Sequence, residues 1–272
     1  MSRDIDRRFA GSIPAMYDTW LVPLIFEPYA TDMAHRVQAR GPSRVLELAA
    51  GTGVVTRALA SALPPGTAIV ATDLNHAMLE RAAAVGTARP VEWRQADALA
   101  LPFPDASFDA VVCQFGVMFF PDRPRAFAEA RRVLRPGGTL LFSTWDRIED
   151  NDFAHEVTLA LEVMFPADPP RFLARTPHGY HDPRAVARDL GAGGFSAAPA
   201  IETVTARSRA SGARLPALAY CEGTPLRNEI EALDPEGLGE ATDAAEAAIA
   251  RRFGNAGVDG KIQALVVTVR RD

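Results

Sequence analysis

The sequence predicts an α/β fold on a mostly parallel sheet, and three observations predict it. Strand-like and helix-like stretches alternate from about residue 44 to 145. The strand-like stretches are short, continuous apolar runs, as expected of strands buried on both faces. Hydrophobic residues make up 48% of the 272, enough for a large core in one domain with an elaborated cap.

Each element has its own signal. Arg44-Val45-Leu46-Glu47-Leu48 reads as the first buried strand. Gly51-Thr52-Gly53 turns the chain into a helix over 54–63, which Pro64-Pro65-Gly66 stops. A second strand over 68–72 closes at Asp73, and Asn75 caps a helix over 76–85. Further strands are expected at 91–95 and 108–114. Asp122 caps the next helix, Pro124 suits its first turn, and Pro136-Gly137-Gly138 stops it beyond Leu134. A fifth strand is expected over 139–144. This order demands helices on both faces of a parallel sheet.

After Trp145 the rhythm breaks. An apolar helix is expected over 153–165, then a loop rich in Pro, Arg and His. Asp182-Pro183 starts another helix, which ends at Gly191-Ala192-Gly193-Gly194. Residues 201–206 alternate like a strand, 214–253 read as mostly helical, and 262–269 form a final strand. The leader, 3–40, has helical apolar spacing with aromatics at Phe9, Tyr17, Trp20, Phe26 and Tyr29. It suits a helix packed at the sheet edge, a lid over a ligand, or both.

Composition excludes several classes. The net charge is −5, with no basic stripe for nucleic acid. No run of eighteen apolar residues predicts a membrane span, and the N-terminus lacks the apolar run of a secretion signal, so a cytoplasmic location is expected. Two cysteines, Cys113 and Cys221, make neither a disulfide framework nor a zinc site. Lys261 is the one lysine and lies far from any glycine-rich loop, so a phosphate-binding Walker lysine is absent.

Four places carry the chemistry. The glycines of Glu47-Leu48-Ala49-Ala50-Gly51-Thr52-Gly53 let a backbone approach a ligand where a strand feeds a helix. Read alone, this is an ordinary tight turn. Asp73, ending the second strand, can accept two hydrogen bonds from ribose hydroxyls, or it can cap the next helix. Asp97-Ala98 ends the third strand, where a carboxylate can accept from an adenine amine. Cys113-Gln114-Phe115-Gly116 closes the fourth strand at the same edge, with Cys113 read as a buried structural thiol.

Taken together, these stretches carry a resemblance. Val45 to Gly53 resembles the first motif of class I SAM-dependent methyltransferases, and Ala71-Thr72-Asp73-Leu74-Asn75-His76-Ala77-Met78-Leu79 resembles their acidic second motif. Gln95-Ala96-Asp97-Ala98, then Leu101-Pro102-Phe103-Pro104-Asp105-Ala106-Ser107-Phe108-Asp109, resembles the ubiquinone/menaquinone (methyltransferase type 11) branch, as does Arg132-Val133-Leu134-Arg135-Pro136-Gly137-Gly138. The resemblance covers about 44–145. It implies a Rossmann-like sheet of seven strands, the last antiparallel, with a helical cap. It also implies S-adenosyl-L-methionine (SAM) as cofactor, S-adenosylhomocysteine (SAH) as product and a small-molecule acceptor. Glu47, Gly51 and Gly53 would line the methionine end of SAM. Asp73 would hold the ribose, with Leu74 and Met78 beside the adenine. Asp97 and Ala98 would meet the adenine ring, Gln114 the sulfonium end, and Tyr17 would close over the cofactor. The expected layout is one domain over 1–272, with a leader or lid at 1–40, a cofactor-binding core at 41–145, and cap elements at 146–181 and 208–258.

Rival readings are an NAD(P)-dependent oxidoreductase and a SAM-binding protein that transfers no methyl group. The dinucleotide fingerprint G-x-G-x-x-G fails at its third position, Thr56. Amino-directed nucleic-acid methylation would need an Asn/Asp-Pro-Pro-aromatic run in place of Cys113-Gln114-Phe115-Gly116, and cytosine methylation a proline in place of Val112. Alignment of acceptor, methyl and sulfur is the main catalytic task and supplies roughly 7–11 kcal/mol. A base is needed only for a hydroxyl or an acidic carbon. His178 and His181, with Tyr180 between them, are the candidate catalytic cluster, and Asp182-Pro183 equally marks a structural helix start. The His178-x-x-His181 spacing would also suit a metal, but no further ligand accompanies it, so none is expected. Residues 219–225 read as a lid segment or a helix–helix turn, and 153–172 as pocket cover or core.

Overall fold

The structure, a computed structural model, describes residues 13–272. Of the leader aromatics, Phe9 lies outside the described residues.

Seven strands form one sheet: β1 (Arg44–Glu47), β2 (Ala68–Asp73), β3 (Glu92–Gln95), β4 (Phe108–Gln114), β5 (Leu134–Trp145), β6 (Ala200–Ala210) and β7 (Val258–Arg270), in the order β3-β2-β1-β4-β5-β7-β6. The first five pair in parallel, Glu47 lying opposite both Ala71 and Val112. β7 runs antiparallel to β5: Arg271 N–H donates to the Gly138 carbonyl, and Asp146 N–H to Gln263, so register falls on one strand as it rises on the other. β6 and β7 are likewise antiparallel, with Gly257 N–H donating to Ser211 and Thr205 bonding Gln263.

The helices are α1 (Ile13–Met16), α2 (Glu27–Gln38), α3 (Val54–Ala62), α4 (His76–Val85), α5 (Arg123–Val133), α6 (Asp152–Met164), α7 (Phe172–Arg175), α8 (Pro183–Ala192), α9 (Arg214–Cys221), α10 (Leu226–Leu233) and α11 (Leu238–Phe253). Between α1 and α2 the chain is π-helical over Tyr17–Phe26, with Pro23 inside. The expected caps form: Asn75 accepts from Ala77 N–H, Asp122 from Arg125 N–H and Asp182 from Arg184 N–H.

Contacts gather the chain into two compact units. The larger holds Glu27–Thr144, Tyr180–Val204 and Leu265–Asp272. On one face of its sheet, Val45, Ile69, Ala110, Val112 and Leu141 pack with Met33 and Val37 of α2 and Val55 and Leu59 of α3. On the other, Phe127 of α5 tilts against Phe142, their ring centres 5.3 Å apart. The smaller unit holds 13–26, Trp145–Gly179 and Thr205–Ala264. There Phe153 of α6 meets Phe253 of α11 edge to face, and buried Asn151 takes Gln263 N–H on its side-chain oxygen while donating to the Gln263 carbonyl.

Two expectations are corrected. Pro136-Gly137-Gly138 does not separate helix from strand, because β5 begins at Leu134 and the triplet sits in a bulge opposite Phe108–Ala110. Gly137 takes φ +79°, and a Cβ at Gly138 would stand 2.9 Å from the Arg135 carbonyl, so the glycines serve the bulge. β6 and β7 outrun their predicted bounds, reaching Ala200–Ala210 and Val258–Arg270 as neighbours in the sheet. The helical stretch 214–253 is three helices. Thr224 donates to the Tyr220 carbonyl and accepts from Leu226 N–H, and a Cβ at Gly223 would lie 2.6 Å from the Ala219 carbonyl, so 219–225 contains a helix–helix turn.

Candidate cofactor and active site

The site is built where β1, β2, β3 and β4 end, all within the larger unit. β1 runs out through Leu48, whose N–H still bonds the Val112 carbonyl, and then leaves the ladder. Ala49 takes φ +51° and Phe115, just past β4, takes φ +52°. Two non-glycine residues in the left-handed region at neighbouring strand ends mark backbone strain of the kind concentrated at ligand sites. The turn they frame is fixed by Gly51 at φ +56° and Gly53 at φ +84°.

These two glycines differ. A Cβ at Gly51 would meet nothing within 4 Å, so the space over it is open. A Cβ at Gly53 would lie 2.9 Å from the Trp93 ring and 3.1 Å from Ala82, so Gly53 lets α3 sit against β3 and α4.

Asp73 is the hub. Its Oδ2 accepts Gly51 N–H at 2.8 Å and its Oδ1 accepts Asn75 N–H at 2.8 Å. Burial raises its pKa, and the same backbone donors oppose that rise. Leu74 N–H also turns toward it, and of the carboxylate's roughly four lone-pair positions room remains for a hydroxyl donor from a ligand. Leu74 beside it is 51% exposed, an apolar side chain left in the open next to a buried charge. Met78 is buried below in α4. Asp97 is exposed at the end of β3 and its Oδ1 accepts Leu99 N–H at 2.9 Å, with Ala98 half-buried beside it.

Glu47 is 2% exposed, and its Oε2 accepts the Thr56 hydroxyl at 2.6 Å. Burial pushes its carboxyl up to about 8; the Asp73 charge adds to this, while the Thr56 bond and Arg57 act against it. Gln114 is half-buried at the end of β4. Burial also pushes the Cys113 thiol far above its usual range, which leaves it a packing residue.

These residues fit SAM. The paired acceptor is Asp73, the open backbone is Gly51, and the apolar face is Leu74. The Thr52 hydroxyl, 1% exposed in the same turn, has no partner among the described residues.

Tyr17 and His178 belong to the smaller unit and His181 to the larger. Tyr17 stacks on Phe26 at 5.1 Å. His178 is buried with Nδ1 2.7 Å from the Asp146 carbonyl. A carbonyl only accepts, so Nδ1 carries the proton and Nε2 is the basic nitrogen of the neutral ring. Its ring is tilted on Trp145. Tyr180 is not an acceptor-lining group: its hydroxyl donates to Asp189 at 3.0 Å and Arg123 lies 4.1 Å over its ring. Among the described residues, no three His, Cys, Asp or Glu side chains converge as a metal site requires.

Sequence reasoning missed Thr56, which orients Glu47, and Trp93, which makes Gly53 necessary. For Thr56 there was a signal: a hydroxyl residue in the first turn after a glycine loop, facing back to the strand that enters it.

This strand order, with its antiparallel β7 and its ligand edge over β1 and β2, is the fold of class I SAM-dependent methyltransferases, and its site fits SAM as cofactor. Residues 46–142 match the methyltransferase domain family, and the relatives this stretch resembles are of the ubiquinone/menaquinone type. It is 45% identical over 104 residues to the demethylmenaquinone methyltransferase of Thermus thermophilus, covering 38% of this chain and 47% of that protein. The chain thus spans about half the length of this relative. Against the ubiquinone/menaquinone biosynthesis C-methyltransferase UbiE of Saccharophagus degradans it is 29% identical over 219 residues, 71% of this chain and 86% of the other. The solved Haemonchus contortus phosphoethanolamine N-methyltransferase 2, with SAH bound, superposes with TM-score 0.60 at 17% identity, over 100% of this chain and 61% of that one. At that identity the likeness is one of fold.

Proposed function

We propose that this chain transfers a methyl group from SAM to a small-molecule acceptor by in-line displacement. The observation that carries the reading is the Asp73 carboxylate, anchored by backbone N–H groups at the end of β2 and still able to accept from a ribose hydroxyl. When bound, SAM supplies a methyl group activated by the sulfonium. In this reading Asp73 fixes the ribose, Asp97 and Ala98 meet the adenine, and Leu74 and Met78 flank it. Gly51 and Gly53 bring the backbone of the turn to the methionine end, where Glu47 and Gln114 contribute the nearest polar groups.

His178 is the favoured base for an acceptor hydroxyl or acidic carbon, because the Asp146 carbonyl holds its proton on Nδ1 and turns Nε2 into the acceptor. His181 is the second candidate. The names of the relatives point to a quinone-type ring as the first acceptor class to try. A cytoplasmic location goes with the reading, since SAM is a cytoplasmic metabolite.

Isothermal titration with SAM, SAH and NADH tests the proposal. Micromolar binding of SAM and SAH, with no heat from NADH, is expected. Binding of NADH in their place would overturn it. Methylated product from a quinol, phenol and amine panel then separates transfer from SAM binding alone.

A further inference from the structure

Ser143 is 1% exposed, and its hydroxyl has no hydrogen-bond partner among the described residues. Buried hydroxyls in strands are ordinarily satisfied, and one that is not points to a group absent from the protein itself. The Ser143 carbonyl, by contrast, is engaged, accepting Phe115 N–H at 3.1 Å.

Register fixes where this hydroxyl stands. Ser143 of β5 pairs with Gln114 of β4, so the two side chains leave the sheet on the same face. One step back on that face, Leu141 and Val112 lie in the apolar core with α2 and α3. Glu47 pairs with Val112 and Ala71, which places Glu47, and Asp73 two residues beyond Ala71, on that face too. The opposite face is closed, where Thr144 donates to the Tyr180 carbonyl. Ser143 therefore stands in the outer row of the sheet's ligand edge, level with Gln114 and Asp73.

Distance along the row decides which ligand it meets. From β2 through β1 and β4 to β5 is three strand spacings, about 14 Å at ~4.8 Å each. A ribose held by Asp73 is joined to the reacting methyl through one carbon and the sulfur, a link far too short to cross three strands. The hydroxyl lies past the transferred methyl, on the acceptor's side.

We propose that Ser143 is a specificity-determining residue whose hydroxyl hydrogen-bonds an oxygen or nitrogen of the methyl acceptor. This rests on the function proposed above. The enzyme should accordingly favour acceptors that carry a hydroxyl, carbonyl or amine at a fixed distance from the methylated atom over hydrocarbon analogues of the same shape.

The test compares Ser143→Ala and Ser143→Thr with the unaltered protein in three readouts. Ligand-free melting temperature should stay equal or rise in Ser143→Ala, because no internal bond is lost. SAH affinity by titration should stay within about twofold. With 1,4-naphthohydroquinone as acceptor probe, Ser143→Ala should raise KM about tenfold, equivalent to ~1.4 kcal/mol, with kcat changed far less, and Ser143→Thr should restore it. A lowered melting temperature would make the hydroxyl structural. A loss of SAH affinity would assign it to the cofactor. An unchanged KM would remove it from acceptor recognition. Each of these overturns the proposal, and the first two need no acceptor. Failure of the unaltered protein to bind SAH would instead overturn the proposed function on which this inference stands.

Discussion

In the smaller unit, a set of acidic side chains ends on cations. Arg252 holds both Asp152 and Glu156, Lys261 and Arg147 share Asp150, Arg214 spans Asp243 and Glu246, and Arg175 meets the buried Glu229. At the ends of β1, β2 and β3, Glu47, Asp73 and Asp97 end on a threonine hydroxyl and backbone N–H groups. Among the described residues none of these three forms an ion pair. Elsewhere in the same unit Asp109 pairs with Arg135 and Glu129 with Arg132, while Asp122 and Asp182 cap helices on backbone N–H groups. The difference lies in what each set is built to neutralise. Carboxylates closed by arginine are finished structure, whereas Glu47, Asp73 and Asp97, gathered at one sheet edge on neutral donors, leave room for a cation that arrives later. SAM brings such a cation in its sulfonium and its ammonium.

The largest expected effect tests whether chemistry is separable from the cofactor edge. His178→Ala should slow base-dependent turnover about 10²–10⁴-fold while SAM affinity is unchanged, and His181→Ala is the parallel experiment. Equal rates in both variants, read with the first acceptor found, would end the general-base assignment.

Next comes the finished set. Glu229 accepts Arg171 and Phe172 N–H at 2.8 and 2.9 Å besides its arginine. Glu229→Ala should cost about 2–4 kcal/mol in denaturant unfolding through the donors it strands, with SAM affinity intact in the folded protein. A variant that unfolds normally but loses SAM would reverse the contrast between the two sets.

Asp73→Ala should do the opposite, weakening SAM about 10–100-fold by titration. Unchanged affinity would show that the register placing Asp73 under the ribose is wrong.

The smallest effect sharpens the contrast through pH. The Glu47 carboxyl sits at about 8 in the folded protein against 4.5 as its ordinary value. Ionisation between these values favours the unfolded chain, so ligand-free stability should fall as pH rises from about 4.5 to about 8 and then level. A cationic ligand favours ionised Glu47, so SAM affinity should rise over the same window, by at most about tenfold per pH unit. Glu47→Gln should flatten both curves. Melting temperature and SAM titration across the window decide it, and slopes that persist in Glu47→Gln would place the proton elsewhere.

The parts legible in the sequence were those whose causes are local. A glycine turn after an apolar strand, Asp73 at a strand end, and caps at Asn75, Asp122 and Asp182 are all decided within a few residues. What stayed hidden depends on residues distant in sequence. The Pro136-Gly137-Gly138 triplet looks like a helix stop until Asp109 and Arg135 are seen across a bulge. Tyr180 looks available until Asp189 and Arg123 close on it. The Ser143 hydroxyl has no sequence signal at all, since only the register of β4 against β5 shows where it stands and that no described residue bonds it.

The strand order also sets a schedule. β7 lies between β5 and β6, and Arg271, just past it, donates to the Arg131 and Arg132 carbonyls at the close of α5. During synthesis, β5 and β6 emerge long before the strand that joins them, each with an unpaired edge waiting. The sheet cannot close until residues 258–270 leave the ribosome, so this part folds late and with high contact order. Until then those edges are the chain's most aggregation-prone surface, and the time they stay open is set by the α9–α11 segment inserted between β6 and β7.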